Sequence, residues 1–403
     1  MQHFFDFLKT SVKSWFRGNA YYWIWMCFLG ILITSGAVAY WEQLTKGLIV
    51  TNMRDQVSWG FYIGQFTFLV GVAAAAVMLV IPAYIYNWKP IKEVVLLGEM
   101  LAISAIVMCF LFVTVDIGRP DRVLHLLPFV GSPNFPYSLL AWDVLVLNLY
   151  FVLNVVIVVY LLYCAYRGKH YNKKILAPLV LASIPAALAI HTVTAFLYNG
   201  VSARPFWNAS ILAPRFIASA FCSGPAVLLI LFQVLRKTNK LKIQDAALTK
   251  VAELMAYTMF LNLFLLGAEV FKEFYSNTEH LIHTKVLFSS LFAKTGVHYF
   301  MWPAIVADFV AFLIFLVPKT RNNLAMMNIG CLLIFFGVYT EKGMGLVIPG
   351  FTPDTLGEIY LYAPSLAEYR ISSGVFSVGF LVFTLLVKTA IPLLNQPGTE
   401  AEH

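Results

Sequence analysis

Ten runs of about twenty apolar residues dominate this chain, and no other feature limits its fold so severely. They lie near 20–41, 58–86, 95–115, 138–165, 175–198, 212–235, 250–271, 296–317, 324–340 and 367–391. Each is long enough to cross a bilayer as a helix. With 60% hydrophobic residues, only 12% charged ones and a mean hydropathy of +0.77, the chain cannot be an ordinary soluble domain, in which about a quarter of residues are charged. The fold expected is an all-α integral membrane protein of ten transmembrane helices. The first run enters through Tyr21, Tyr22, Trp23 and Trp25 and leaves through Tyr40 and Trp41, the aromatic belts of a membrane anchor. It lacks a small-residue cleavage site, so it is expected to stay as an uncleaved anchor.

Lys and Arg divide unevenly between the two sides. Seventeen of the 28 fall on the side of the N-terminus, which places both termini in the cytoplasm of a cell whose inner membrane the chain crosses. The net charge of +8 then needs no nucleic-acid partner. Residues 1–19 mix Phe4, Phe5, Phe7, Leu8, Val12, Trp15 and Phe16 with three basic residues, an amphipathic lead-in at the cytoplasmic surface. Cys27, Cys109, Cys164, Cys222 and Cys331 are scattered singly, without the paired spacing of a zinc or iron–sulfur framework, and read as small core residues.

Polar spacing suggests a duplication. Glu99 and Asp116 of span 3 stand 17 residues apart, and Glu253 and Glu269 of span 7 stand 16 apart. Asp143 follows Asp116 by 27 and His298 follows Glu269 by 29; His191 follows Asp143 by 48 and Glu341 follows His298 by 43. Spans 2–5 and 6–9 are therefore expected to be two four-helix bundles related by an internal repeat, with helices 1 and 10 peripheral. The corresponding segments are 20–57 for the first anchor, 58–211 and 212–366 for the bundles, and 367–403 for the last anchor and a cytoplasmic tail.

The chemistry concentrates in residues 112–143, FVTVDIGRPDRVLHLLPFVGSPNFPYSLLAWD. Asp116 and Arg119 end one apolar run, Asp121, Arg122 and His125 occupy the loop, and Trp142 and Asp143 open the next run. Ionisable groups are costly in hydrocarbon and by default mark a functional site, although a solvated interhelical loop would also explain Asp121 and Arg122. Asp143 lies inside an apolar run and is harder to assign to solvent. His191 ends span 5 among Thr192, Thr194 and Asn199, with Arg204, Trp207, Asn208 and Arg215 following on the same side. A lone histidine there is more often a hydrogen-bonded core residue; the arginines point instead to an anionic or proton-exchanging pocket. Loop 271–295, with Glu273, Glu279, His280, His283 and Lys285, could meet a partner or simply face solvent. Asp308 sits near mid-membrane, where a carboxylate has to be paired or neutral. Glu341 and Lys342 could pair at the end of span 9, and the glycines after them permit a non-helical loop on the outer face.

DIGRPDRVLHL, the WD at 142–143, HTVTAFLYNGVSARPFWN, ILAPRFIASAFCSG and EKGMGLVIPGF together resemble the NrfD/polysulfide-reductase membrane-subunit family, over nearly the whole chain. Within it the similarity is to the DsrP-type subunits of sulfur-metabolising microbes, with the HmcC, TmcC and QrcD subunits as near relatives. The resemblance implies a subunit without haem or metal of its own, which binds a quinone (menaquinone or menaquinol) near the outer face. Electrons would pass to an iron–sulfur (ferredoxin-like) subunit docked at the periplasmic side, in a respiratory complex that also holds a multihaem cytochrome c and further membrane and cytoplasmic subunits. It implies catalytic roles for His125 and Asp143, each a proton acceptor for one ring oxygen. Asp116, Arg119, Trp142, His191 and Arg204 would line or orient the site. Glu99, Glu253, Glu269, Asp308 and Glu341 could carry protons between the faces.

Two other classes compete. A haem b protein needs paired axial histidines at one depth, and only His191 and His298 approach this. A proton- or ion-translocating transporter would use the acidic residues as coupling sites, but the two halves show no Gly or Pro breaks at matching mid-span positions.

Overall fold

The computed structural model describes residues 2–86, 88–126, 129–239, 243–277, 280–289, 296–354 and 356–394; Glu279 and the tail 395–403 lie outside them. About 80% of the chain is helical, with no β-strand among the described residues. In chain order the helices are α1 (Gln2–Trp15), α2 (Ala20–Lys46), α3 (Phe61–Ala73), α4 (Ala75–Val80), α5 (Lys89–Asp116), α6 (Leu139–Tyr166), α7 (Lys173–Asn199) and α8 (Leu212–Asn239). Then follow α9 (Asp245–Ser276), α10 (Leu281–Phe288), α11 (His298–Leu316), α12 (Pro318–Arg321), α13 (Leu324–Lys342), α14 (Met344–Phe351) and α15 (Leu366–Leu394). Ten segments are long and apolar enough to cross a membrane, and the chain is a multi-pass, all-α integral membrane protein.

Four of the spanning helices, α2, α6, α7 and α13, start where a short polar side chain caps them. Asn19 accepts from Tyr22 N at 3.0 Å, Ser138 from Ala141 N at 3.2 Å, Asn172 from Lys174 N at 2.9 Å and Asn323 from Ala325 N at 3.0 Å. Asn277, in the left-handed conformation at φ 46°, ends α9. Between the caps the sequence is apolar all round, as expected of helices whose outward faces meet lipid.

Packing sorts the spans. The span α3–α4 lies against α5, α6 packs on α7, and α5 touches α6. In the second half α8 packs on α9 and α13, and α11 on α13 and α9. The two groups meet where α3, α4 and α7 lie along α8. The first and last spans stand to one side: α2 packs on α15, which leans on α5. A side chain at Gly36 of α2 would meet Gly374 Cα at 2.8 Å, so these backbones approach as only small residues allow. The lead-in helix α1 is seated through Phe7, which is buried against Tyr163 and Tyr166, and through Trp15 Nε1, which donates to Thr389 Oγ1 at 3.0 Å. Phe5 and Phe16 remain exposed.

One expectation is overturned. Residues 344–351 do not form a loop on the outer face; they are helix α14, and Gly345 to Phe351 are all buried. Inside a membrane a chain must satisfy its own backbone groups, and that requirement outweighs the loop-like composition of MGLVIPGF. The ninth span is consequently broken at Gly343, between α13 and α14. The second span also breaks, at Ala74, and ends in a π-helical turn at Ile81–Ile85.

Candidate functional site

Asp143 is placed by the start of α6. Beyond the Ser138 cap, Trp142 Nε1 donates to Pro136 O at 2.8 Å and its ring lies 4.4 Å from that of Phe135. That fixes the entry of the helix and turns Asp143, 2% exposed, toward α7. There Thr194, fully buried, donates its hydroxyl to Asp143 Oδ1 at 2.8 Å. The carboxylate thus meets a neutral donor rather than a cation.

One turn before Thr194 on the same face of α7 comes His191, 2% exposed. Its Nδ1 lies 2.9 Å from Ala187 O, and because a carbonyl only accepts, Nδ1 carries the proton. Nε2 is then a bare acceptor, buried with no partner. A second orphaned acceptor is Asp116 Oδ1 at the end of α5. Beside it Gln43 Nε2 donates to Val115 O at 2.6 Å and Tyr62 donates to Gln43 Oε1 at 2.8 Å.

The loop residues fare differently. Arg119 makes two hydrogen bonds to Asp121, Nε–Oδ1 at 3.0 Å and Nη2–Oδ2 at 2.9 Å, with both side chains more than half exposed. The guanidinium holds the Asp121 carboxyl below its ordinary range, and among the described residues no hydrogen bond or ion pair joins Arg119 to Asp143. His125 is exposed on the 3₁₀ turn Pro120–Leu126, and no hydrogen bond or ion pair joins it to Asp143. Arg204 stacks 4.9 Å above the Phe351 ring at the edge of an aromatic box in which Trp59 and Tyr198 lie 5.5 and 5.1 Å from Trp207. Trp207 Nε1 donates to Leu346 O at 2.8 Å, tying the 200–211 loop to α14.

The acidic residues of the second half do not form a ladder. Arg215, 7% exposed, is ion-paired with both Glu269 of α9 and Glu341 of α13. Asn262 Nδ2 lies 3.5 Å from Glu341 Oε2, and Lys342 Nζ lies 3.5 Å from Glu341 Oε1 and 4.5 Å above the Phe216 ring. Two cations and two carboxylates close on one another. Glu253 sits near the N-terminal end of α9 with Lys250 at 3.0 Å. Asp308, 1% exposed, packs against Gly337, and both oxygens of Glu99 are buried without a partner. No hydrogen bond among the described residues links Glu253, Asp308 and Glu269 to one another.

A small cavity, with room for about one water molecule, lies at the seam between the halves, lined by Thr67, Gly71, His191, Phe216, Ala220, Ser223 and Lys342 among others. A second, equally small, lies beside Asn208, Glu269, Lys272, Glu273, His280 and Thr284. Thr194, Arg215 and Lys342 are the central residues that sequence reasoning left in the background. The signal for the last two was present, a cation inside or abutting an apolar run. Thr194 carried none, because its importance comes from a neighbour 51 positions away.

Ten spanning helices, with a buried carboxylate and a buried imidazole on neighbouring helices, define an all-α integral membrane protein. The chain belongs to the NrfD polysulphide reductase family, whose model matches residues 49–352. It is similar to the membrane subunit of a putative dimethyl sulfoxide reductase of Halobacterium salinarum, 26% identical over 89% of this chain and 88% of the relative. It is also similar to an Hdr-like menaquinol oxidoreductase integral membrane subunit of Archaeoglobus fulgidus, 23% identical over 91% and 92%. A third relative is the integral membrane subunit of a menaquinone reductase of Nitratidesulfovibrio vulgaris, 21% identical over 93% and 92%.

Proposed function

We propose that this chain is the quinone-reactive membrane subunit of a multi-subunit respiratory oxidoreductase, acting on menaquinol at the Asp143 site. The observation that carries the reading is a buried carboxylate without a cation, held across the helix seam by Thr194 of α7, which stands one helical turn from the buried imidazole of His191, whose Nε2 has no partner. The names of the Archaeoglobus and Nitratidesulfovibrio relatives support the choice of menaquinone chemistry. The finer reading places the chain in a DsrP-type complex of sulfur metabolism, in an inner membrane with both termini cytoplasmic. It docks an iron–sulfur subunit on the periplasmic face, and a multihaem cytochrome completes the path. Spans 2–5 and 6–9 are a duplicated unit of which only the first holds the reacting groups.

When bound, menaquinol supplies two electrons and two protons, and the electrons leave to the docked subunit. Asp143 accepts one proton, with the Thr194 hydroxyl holding the acceptor oxygen in place. Trp142 and the Ser138 cap keep the carboxylate aimed inward. His125 is the second acceptor, reaching the ring from the exposed turn when the partner subunit covers that loop. Glu99, Asp308 and Glu253 are candidates for moving protons toward the inner side.

The test is Asp143→Asn and His125→Ala in the assembled complex. A general base contributes on the order of 100- to 10,000-fold, so each substitution should abolish quinol-dependent electron transfer while the complex stays assembled. Activity above about half of wild type in both would remove the pair from the mechanism.

A further inference from the structure

The seam cavity joins the two buried polar clusters, and its wall is chemically asymmetric. On the α7 side His191 offers the unpartnered acceptor Nε2, and on the α8 side the Ser223 hydroxyl is likewise buried without a partner. On the α13 side stands Lys342, 4% exposed. An ammonium has three N–H donors, and Glu341 at 3.5 Å engages one, while the Phe216 face at 4.5 Å meets the charge. A donor is left over on one wall, and acceptors are left over on the others. Water fits a space of this size and satisfies both at once, since a buried water makes about three hydrogen bonds to otherwise unpaired groups.

The break in the ninth span is what puts the ammonium there. Helix α13 ends at Lys342, and the following Gly343 lies so close to α3 that a side chain at Gly64 would meet Gly343 Cα at 3.3 Å. On the far side of Lys342 the cluster continues through Glu341 and Arg215 to Glu269, which lines the second cavity beside Lys272, Glu273 and His280. The other titratable side chains on the elements packed around Lys342 include His191 and Tyr198 on α7, Cys222 on α8, His298 and Asp308 on α11, Cys331 and Tyr339 on α13, and Tyr62 on α3, which also contributes the uncharged Gln65 and Thr67.

We propose that the seam cavity is a hydrated proton-exchange site in which water bridges His191 Nε2 to Lys342, and that Lys342 passes protons between the Asp143 side and the Glu341–Arg215–Glu269 side. This rests on the reading of Asp143 as the quinol-side acceptor. In each cycle Nε2 of the neutral His191 first takes up one proton from the Asp143 side, the Lys342 ammonium releases one proton toward Glu341, and the amine takes one proton back from the bridging water. That water is restored by the proton held on the His191 imidazolium, which returns to the neutral form. One proton enters and one leaves, so the charge of the cluster is unchanged.

The experiment uses the intact complex in liposomes, with quinol turnover followed from acid to alkaline pH. Lys342→Ala should lower turnover about tenfold or more and change the shape of the pH profile. Added ethylamine, which can enter the vacated space and exchange a proton, should restore several-fold; tetramethylammonium, a cation with no exchangeable proton, should not. Wild-type turnover and pH profile in Lys342→Ala overturns the proposal, and so does equal restoration by tetramethylammonium, which would make Lys342 a fixed charge. Should Lys342→Ala fail to assemble, Ala220→Val decides, because it fills the cavity and leaves every charge in place. Lost turnover there supports the proposal and unchanged turnover overturns it. Asp143→Asn run in parallel separates the two ideas: if it keeps turnover, the parent reading has failed, whereas if it alone loses turnover, only the seam proposal has.

Discussion

The Asp143 site and the Arg215 cluster are both buried among apolar helices, yet they treat charge in opposite ways. Around Arg215 each charge meets an opposite one, with Glu269 and Glu341 on the guanidinium and Lys342 beside Glu341. Around Asp143 the carboxylate has one neutral hydroxyl, and neighbouring acceptors on His191 and Asp116 have nothing. A closed ion cluster holds helices α8, α9 and α13 in register and gains little from change. An open one retains capacity to take up protons, which is what a site for quinol oxidation needs. Depth in the membrane alone does not mark the chemistry; the unsatisfied groups do.

The largest effect expected from breaking this contrast is on the closed side. Arg215→Met leaves the buried Glu269 without its cation and Glu341 with Lys342 alone, a change that costs about 3–5 kcal/mol when one partner of a buried pair is removed. The yield of assembled complex should collapse, and adding Glu269→Gln to the same chain should recover much of it, because Glu341 keeps Lys342 and no carboxylate of the cluster is then unpaired. Co-purification and thermal inactivation measure both. If Arg215→Met assembles and melts as wild type, the cluster is not what holds the second half together.

On the open side the effect should be kinetic. Thr194→Val removes the described donor to Asp143, and a hydrogen bond to a charged group is worth about 1.5–3 kcal/mol, so turnover should fall roughly 10- to 100-fold with assembly intact. A variant with normal turnover would show that Thr194 does not position the acceptor.

The smallest effect concerns the outer rim. His283 of α10, which burial holds below the ordinary histidine range, lies with Nδ1 2.9 Å from Pro349 O and so fastens α10 to α14. Its folded-state value is depressed, so the stabilisation it gives is present above the ordinary histidine value and is lost as pH falls through and below that value. Thermal inactivation of the complex should become steeper in acid for wild type and less so for His283→Gln. Identical acid dependence in the two would remove His283 from the rim.

Much of the architecture was legible because lipid makes it so. An apolar run of twenty residues has few alternatives to a helix, and the ten expected spans match the ten observed. MGLVIPGF was misread as a loop because glycine and proline are breakers in water, whereas burial against α3 and α10 forces it to bond internally. Asp143 and His191 could be singled out as ionisable groups in apolar runs. Their surroundings could not: Thr194 is 51 residues from Asp143, and Glu341 is 126 from Arg215. Such pairings are set by which helix faces meet, and periodicity does not report that when helices are apolar all round.

The most direct test of the central claim is infrared difference spectroscopy of the assembled complex, comparing the states before and after a pulse of menaquinol. Uptake of the quinol proton by Asp143 predicts a protonated-carboxyl C=O band that appears on oxidation in the wild-type complex and is absent in Asp143→Asn. The same band persisting in Asp143→Asn would contradict the account, since the proton would then be landing on another carboxylate.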